Sequence, residues 1–312
     1  MADRAPARDS RRPESTNKAL VVGALLTALV LLLGVFGPWL APHDPQAHVR
    51  IARDAAGEWH KAPFAPLEMP GHPLGTDWDG RDTLSRLLWA FRPTLWIAGL
   101  ATALRLSLAL IVGTLGGWYS GLRGAFAQWA IDVASALPLL IAAVLLLFLT
   151  GGEHRAWQMA LALSFTGWAS SAALVRARVR GIRGEPYIEA ARALGASDGF
   201  IFRRHVLANL RRLLPVMAAF EMGGVLLLLA ELGFLGFFLD GGLNRFVARG
   251  DSAGAWMVRT AGTPELGQLL SGGWQNFYQS PWMALWGGAA FFLAVLSFML
   301  LGEGLKRRFE TR

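Results

Sequence analysis

Six stretches of this chain run apolar for about twenty residues, the length an α-helix needs to cross the hydrocarbon core of a bilayer. They fall at about residues 20–40, 95–118, 127–149, 157–175, 213–239 and 282–301. In lipid the backbone must satisfy its own hydrogen bonds, so apolar runs of this length read as helices. Composition agrees. Of 312 residues, 54% are hydrophobic and 17% charged, against roughly 25% charged in soluble domains. The expected fold class is an all-α membrane protein with six transmembrane helices. The first run is not a cleavable signal peptide: it is long enough to span, and Pro38-Trp39 followed by Pro42 lacks the small-residue cleavage pattern.

Lysine and arginine in the flanks set the orientation. The N-terminal tail carries Arg4, Arg8, Arg11, Arg12 and Lys18, and the C-terminus Lys306, Arg307, Arg308 and Arg312. Between the fourth and fifth runs lie nine arginines, from Arg176 to Arg212. Six spans put all three regions on one side, which the positive-inside rule names cytoplasmic. The formal charge of +8 is therefore a topology signal and does not call for nucleic acid. The chain divides into a disordered cytoplasmic tail (1–18), a first transmembrane helix (19–41), an extracytoplasmic segment (42–92), a five-helix core (93–305) and a cytoplasmic tail (306–312). The core includes a cytoplasmic loop at 177–212 and an external loop at 240–281; a short outer turn is expected at 151–155. Cysteine is absent, which excludes disulfides, thiolate zinc sites and cysteine nucleophiles.

The cytoplasmic loop holds "YIEAARALGASDGFIFRRHVLAN", residues 187–209. Pro186 suits a first helical position and Glu189 in the first turn complements the helix dipole. Gly195 can take the left-handed cap conformation, and Ser197 or Asp198 can cap a second helix leading into the fifth span. The expectation is a short helix, a glycine turn and a second helix, presenting Ile188, Ala190, Ala191 and Leu194 to water. An apolar face in water points to a protein partner.

This segment resembles the EAA motif of permease subunits in binding-protein-dependent ABC importers, with Glu189, Ala190, Ala191, Gly195 and Leu207 at the matching positions and Ala208 where many members have proline. A second stretch, "HPLGTDWDGRDTLSRLLWAFRPTL" at 72–95, resembles the outer segment of the C-type subunit of oligopeptide/dipeptide permeases. It matches the pattern G-T-D-x-x-G-R-D-x-x-S-R through Gly75, Thr76, Asp77, Gly80, Arg81, Asp82, Ser85 and Arg86. Trp168, Arg176 and Tyr187 also fall on family positions, and the last span with its L-G-E-G-L tail resembles the family's, with Glu303 for aspartate. Only the N-terminal tail and 240–263 look unlike it.

The resemblance implies a type I ABC importer permease fold in a bacterial inner membrane. The 187–209 loop would be a coupling helix docking into an ATPase subunit, with Tyr187, Glu189, Ala190, Ala191, Gly195 and Leu207 as contacts. Gly75, Asp77, Arg81, Asp82 and Arg86 would form an outer gate or meet the binding protein. The implied partners are a second permease, two ATPases that use ATP and Mg, an extracytoplasmic binding protein and the bilayer. The implied cargo is a di- or oligopeptide; nickel or another small solute is the alternative within transport.

The residues alone also bear plainer readings. For 75–92 it is an amphipathic helix at the outer interface, capped by Asp79 or Asp82, with Leu84, Leu87, Leu88 and Phe91 at helical spacing. His43, His48, His60 and His72 share the outer segment, but no pair has helical metal-ligand spacing, so they read as solvated loop residues and no metal is expected. Tryptophans such as Trp39, Trp157 and Trp282 mark span ends. Four ionisable residues lie within or near spans: Arg105, Asp132, Glu221 and Glu231. At that depth a charge costs at least about 2.5 kcal/mol, so these should face the bundle interior or water. Arg105 requires a carboxylate on the fifth span, Glu221 or Glu231.

The chain has no G-x-x-x-x-G-K-[ST] loop and no H-E-x-x-H pair, so it neither hydrolyses ATP by that route nor holds a zincin-type site. No catalytic residue and no cofactor of its own is expected. The rival classes are an ion-coupled transporter using Arg105, Glu221 and Glu231, and a membrane enzyme using its acidic residues. The orientation has a direct check, since the chain has no native cysteine. A single cysteine at Ser197 should be shielded from a membrane-impermeant maleimide in intact cells; labelling there would reverse the topology.

Overall fold

The computed structural model describes residues 17–54, 56–150, 156–239, 243–248, 255–260 and 262–310. The N-terminal tail up to residue 16 and the outer turn at 151–155 lie outside the described residues. The chain is mostly helical. Four helices are long and apolar enough to cross a membrane, or up to five if one bent pair counts as a single span.

The first helix, α1 (Lys18–Leu40), begins at Asn17, whose side chain accepts the Leu20 N–H. An antiparallel hairpin follows, β1 (Ile51–Arg53) and β2 (Trp59–Lys61). The long helix α2 (Thr83–Trp118) joins the outer segment and the second span into one rod of roughly 54 Å at 1.5 Å per residue. Pro93 sits inside it. There the Thr94 hydroxyl donates to Ala90 O (2.9 Å) and accepts the Leu266 N–H (3.3 Å).

The third expected span is two helices, α3 (Leu122–Ala136) and α4 (Leu139–Leu149), bent by 94°. The cause is legible: proline disfavours helical geometry in the residue before it, and Leu137 before Pro138 is extended. The fourth expected span is also broken, into α5 (Ala156–Phe165) and α6 (Trp168–Arg183), with Gly167 between them in the left-handed conformation. Of these two broken runs, only the α3–α4 pair is long and apolar enough to count as a span, which leaves the expected six at four or five.

The loop expected on the cytoplasmic side forms α7 (Pro186–Ala193) and α8 (Asp198–Ile201). A π-helical turn at Phe202–Val206 carries α8 without interruption into α9 (Leu207–Phe234), so Asp198–Phe234 is one 37-residue helix. The external loop is not purely irregular. It contains a hairpin, β3 (Leu243–Ala248) with β4 (Ala255–Thr260), and the helix α10 (Leu266–Gln275). The last span is α11 (Pro281–Glu310).

The main apolar cluster joins α2, α4, α5, α9, α10 and α11 through residues such as Phe91, Leu147, Leu163, Leu226, Leu232, Leu266 and Phe291. A second cluster, with Trp118, Val175, Val179, Ile188, Ile201, Val206 and Met217, ties the cytoplasmic loop to the ends of α2, α6 and α9. Helix α1 lies at the periphery, with much of its apolar surface exposed, and its small residues Gly23 and Gly37 face the backbones of α11 and α2.

The closest approach that positions polar residues is between α2 and α6. Gly113 and Gly117, four residues apart, face Ala172, Val175, Arg176 and Val179. This is small-residue packing of the kind that lets membrane helices approach without a hydrophobic driving force. A side chain at Gly117 would meet the Arg176 carbonyl at 2.7 Å and Val179 Cβ at 2.7 Å. Gly117→Val should therefore cost about 1–3 kcal/mol through overpacking. Gly99→Val is the control, since that position on the same helix has nothing within 4 Å. Thermal unfolding in nanodiscs compares them; equal melting would show that this helix contact is not tight.

Candidate functional site

Three groups of residues singled out from the sequence fall in three separate places. The first lies inside the bundle. Arg105 on α2 is 2% exposed, although it sits in the middle of an apolar helix. Its Nε donates to Leu163 O at 2.5 Å, one guanidinium nitrogen to Thr166 Oγ1 at 3.1 Å, and the other lies 3.4 Å from Glu221 Oε2. Glu221 on α9 also accepts from the Ser171 hydroxyl, in the first turn of α6. Leu163 belongs to the last turn of α5, whose carbonyls have no intrahelical partner. The guanidinium thus fills the break between α5 and α6. Gly167 is required there: a Cβ would sit 2.7 Å from the Arg105 guanidinium, and its φ is +76°.

Of the two carboxylates open to Arg105 from the sequence, Glu221 is the partner. Glu231 and Asp132 are exposed in this chain, so of the two places open to a charge at that depth, bundle interior or water, neither takes the interior. Asp132 accepts from Gln128 one turn away, at 2.5 Å.

The second group is the outer segment. Asp77, Arg81, Asp82 and Arg86 are all buried. Asp77 takes Arg81 Nε at 2.8 Å and the N–H groups of Asp79 and Arg81; Arg86 reaches Asp77 at 3.6 Å and Gln268 of α10 at 3.0 Å. Asp82, the second of the two candidate caps, closes the N-terminus of α2 by accepting from the Ser85 N–H (2.7 Å) and hydroxyl (2.6 Å). Gly75 and Gly80 have φ of +75° and +82° and lie against the backbone of Phe64–Pro66 and of Val49–Arg50. These residues form a rigid frame under the outer surface, so in this conformation the side chains of Asp77, Arg81 and Asp82 do not face a partner.

The histidines of this segment are not simply solvated. His72 is buried, 2.9 Å from Asp82, and stacks on His43 at 4.8 Å between ring centroids. His60 bridges Asp54 (3.0 Å) and Glu68 (2.8 Å). Two such sets, His43/His72/Asp82 and Asp54/Glu58/His60, bring three possible metal ligands within 4.8 Å of one another, and side-chain hydrogen bonds link members of each. The Glu58 N–H and then His60 hold the Asp54 carboxyl below its ordinary value. The hydrogen bond to Asp54 and the charges of Asp54 and Glu68 raise the His60 imidazole above its own. This cluster's contribution is therefore lost as pH falls through the folded Asp54 value and as it rises through the folded His60 value.

The third group is the 187–209 loop. Pro186 and Glu189 begin α7 as expected. Gly195 has φ of +85° and closes a Schellman cap: its N–H bonds Arg192 O (2.9 Å) and the Ala196 N–H bonds Ala191 O (3.0 Å). Ser197 is the second cap, accepting the Phe200 N–H at 3.3 Å. Residues 195–199 also spell G-x-S-x-G, against the expectation that the chain holds no such string. A nucleophile elbow needs a preceding strand, and here a helix precedes and the serine serves as a cap.

Ile188, expected in water, is fully buried beneath α7. The outward face carries Tyr187, Ala190 and Leu194, spaced i, i+3, i+7, with Leu194 88% exposed. Glu189 and Leu207 are exposed as well, and Ala191 is half-buried. The loop is held at both ends. Arg183 donates to Trp118 O (2.9 Å), Arg192 pairs with Asp198 (3.2 Å), and the Tyr187 ring lies 5.4 Å from His205.

Four or five helices able to cross a bilayer, with a capped helical loop between two of them, define a polytopic membrane protein. Sequence comparison gives the family. The profile described as binding-protein-dependent transport system inner membrane component matches residues 106–312, and that of the N-terminal TM domain of oligopeptide transport permease C matches 6–63. The chain belongs to this family of binding-protein-dependent transport permeases. It is 31% identical over 296 residues to the dipeptide transport system permease protein DppC of Escherichia coli K12, covering 95% of this chain and 90% of that one. It is 26% identical over 310 residues to the protein of the same name in Alkalihalophilus pseudofirmus, covering 98% and 90%.

Removing one member of the Arg105–Glu221 pair leaves the other buried and unpaired. Arg105→Met or Glu221→Gln should each cost about 3–5 kcal/mol, and the double variant distinctly less than their sum. A double-mutant cycle on the unfolding free energy measures this; simple additivity would dismiss the pair.

Proposed function

We propose that this chain is the C-type permease subunit of an ATP-driven importer for di- or oligopeptides. It would form half of the translocation pathway with a second, related permease. Two ATPase subunits on the cytoplasmic side would hydrolyse ATP with Mg, and an extracytoplasmic binding protein would deliver cargo. The names of the two relatives support the peptide class. Six crossings with both termini cytoplasmic follow if each broken pair, α3 with α4 and α5 with α6, forms one span.

The observation that carries the coupling role is the continuity of Asp198–Phe234. The helix that begins at the Gly195 turn is the same rod that presents Glu221 to Arg105. A displacement applied to the exposed face of α7 reaches the bundle through the packed contacts of Ile188, Ile201 and Val206. ATPase closure would push this loop and tilt α9 against α2 and α6, changing which end of the pathway is open. The exposed, apolar Tyr187–Ala190–Leu194 face supports docking, since such a patch in water favours a protein partner. For the outer segment, a gating or docking role would fall to the surface held by the Asp77–Arg81–Asp82–Arg86 frame.

Gly195→Val tests the coupling. The position opens to solvent, with nothing within 4 Å, so the direct cost is the left-handed backbone, roughly 1–2 kcal/mol. Insertion and pairing with the second permease should persist, while ATPase pull-down or ATP-driven peptide uptake in vesicles falls sharply. Normal uptake would reduce the segment to a basic loop.

A further inference from the structure

A cleft of about 470 Å³ opens at the end of the bundle where α2 gives way to α3, and the coupling reading does not use it. Its walls are the last turn of α2, the Tyr119–Gly121 turn, the first turns of α3 and the C-terminal half of α6. Arg176, Arg180 and Arg183 line it from α6, spaced i, i+4, i+7 on one face. Asp132 is the one carboxylate in the lining, so three positive charges meet one negative. Among the described residues, no ion pair ties any of the three arginines to a carboxylate.

Arg183 is committed to the Trp118 carbonyl. The stem of Arg176 lies against Gly116, where a Cβ would be 3.0 Å from its Cδ, and its buried Nε has no hydrogen-bond partner. Snorkelling would carry each guanidinium separately into water; here they converge on one concavity. Beside it the surface of α3 is apolar, with Leu122, Phe126 and Trp129 exposed by 91%, 68% and 59%. A cationic cleft beside an apolar helix face fits an amphiphile with an anionic head.

We propose that this cleft binds the phosphodiester headgroup of an anionic phospholipid, with the acyl chains lying along α3. Arg176 and Arg180 would supply forked, charge-assisted hydrogen bonds to the phosphate, and Trp129 and Tyr119 the interfacial contacts. Basic pockets between membrane helices recognise headgroups in this way. The inference needs α2 and α3 to meet at a membrane interface. It depends neither on the cargo nor on the ATPase docking described above.

The test uses the full-length protein, purified in mild detergent with whatever subunits accompany it. It is exposed to dioleoylphosphatidylglycerol or dioleoylphosphatidylcholine, and retained lipid is counted by native mass spectrometry. The wild type should retain phosphatidylglycerol in preference, and R176Q/R180Q should lower its retention roughly tenfold. R178Q/R203Q removes the same charge from outside the cleft lining and should retain it normally. R180Q alone, at an exposed position, should show a partial loss and guards against misfolding of the double variant. Equal retention by the wild type and both cleft variants overturns the proposal, as does an equal loss in the R178Q/R203Q control. Displacement of the lipid by an equal concentration of inorganic phosphate also overturns it, because the site would then serve a free anion.

Discussion

The Arg105 guanidinium holds four helices in one arrangement, and much of the bundle follows from it. A cation in the middle of an apolar helix is tolerated only if its donors are occupied, because no water is at hand to replace them. Here the occupants come from α5 (Leu163 O), the α5–α6 junction (Thr166) and α9 (Glu221), while Ser171 of α6 completes the carboxylate. A broken helix is itself expensive in a bilayer unless the freed backbone groups are satisfied by protein. The cost of the break and the cost of the charge cancel against each other: α5 needs a donor at its C-terminus and Arg105 needs acceptors. Each feature thus offsets part of the cost of the other where the fourth apolar run is broken into two helices.

This arrangement places α9 at the centre of any movement. The rod Asp198–Phe234 carries the loop turn at one end and Glu221 near its middle. The π-helical turn at Phe202–Val206 sits between them, at the level where the buried Ile188, Ile201 and Val206 join the loop to the ends of α2 and α6. Packed side chains in a dense core move together and do not deform continuously. Under the coupling proposed above, a push on the exposed face of α7 would travel along this rod to the Arg105 junction.

Local chemistry was readable without coordinates wherever one residue decides one conformation. Pro186, Gly195 and Ser197 each dictate a helix start, stop or cap, and the loop formed as they require. The requirement that Arg105 find a carboxylate was equally readable, because depth and charge alone impose it. The choice of Glu221 over Glu231 was not. The two lie about equally far from the midplane, on opposite sides of it along one helix, and the side facing α2 is set by tertiary packing. The break at Gly167 was missed because the run 157–175 holds no charged residue and a lone glycine is common in membrane helices, while hydropathy is blind to backbone conformation. The extended Leu137 before Pro138 and the 94° bend were invisible to hydropathy for the same reason. The burial of Asp77, Arg81 and Asp82 escaped for a related reason: charged residues in a loop read as solvated until a fold supplies their partners.

That outer network shows how the two ends of the molecule differ in kind. At the outer end charges are spent inward: Asp77, Arg81 and Arg86 satisfy one another and Gln268, and Asp82 satisfies the helix terminus. Buried ion pairs contribute little net stability over apolar residues of the same shape, but breaking one leaves an uncompensated charge, so they specify a single arrangement. The frame thereby locks the start of α2 to α10 and fixes the outer end of the rod that carries Arg105. At the loop end the polarity is inverted. There Ile188 is buried and Leu194 exposed, and Arg176, Arg180 and Arg183 of α6 line an open cleft that holds one carboxylate, Asp132. Polar contacts satisfied at one end and apolar and cationic surface exposed at the other are what the coupling proposed above would require.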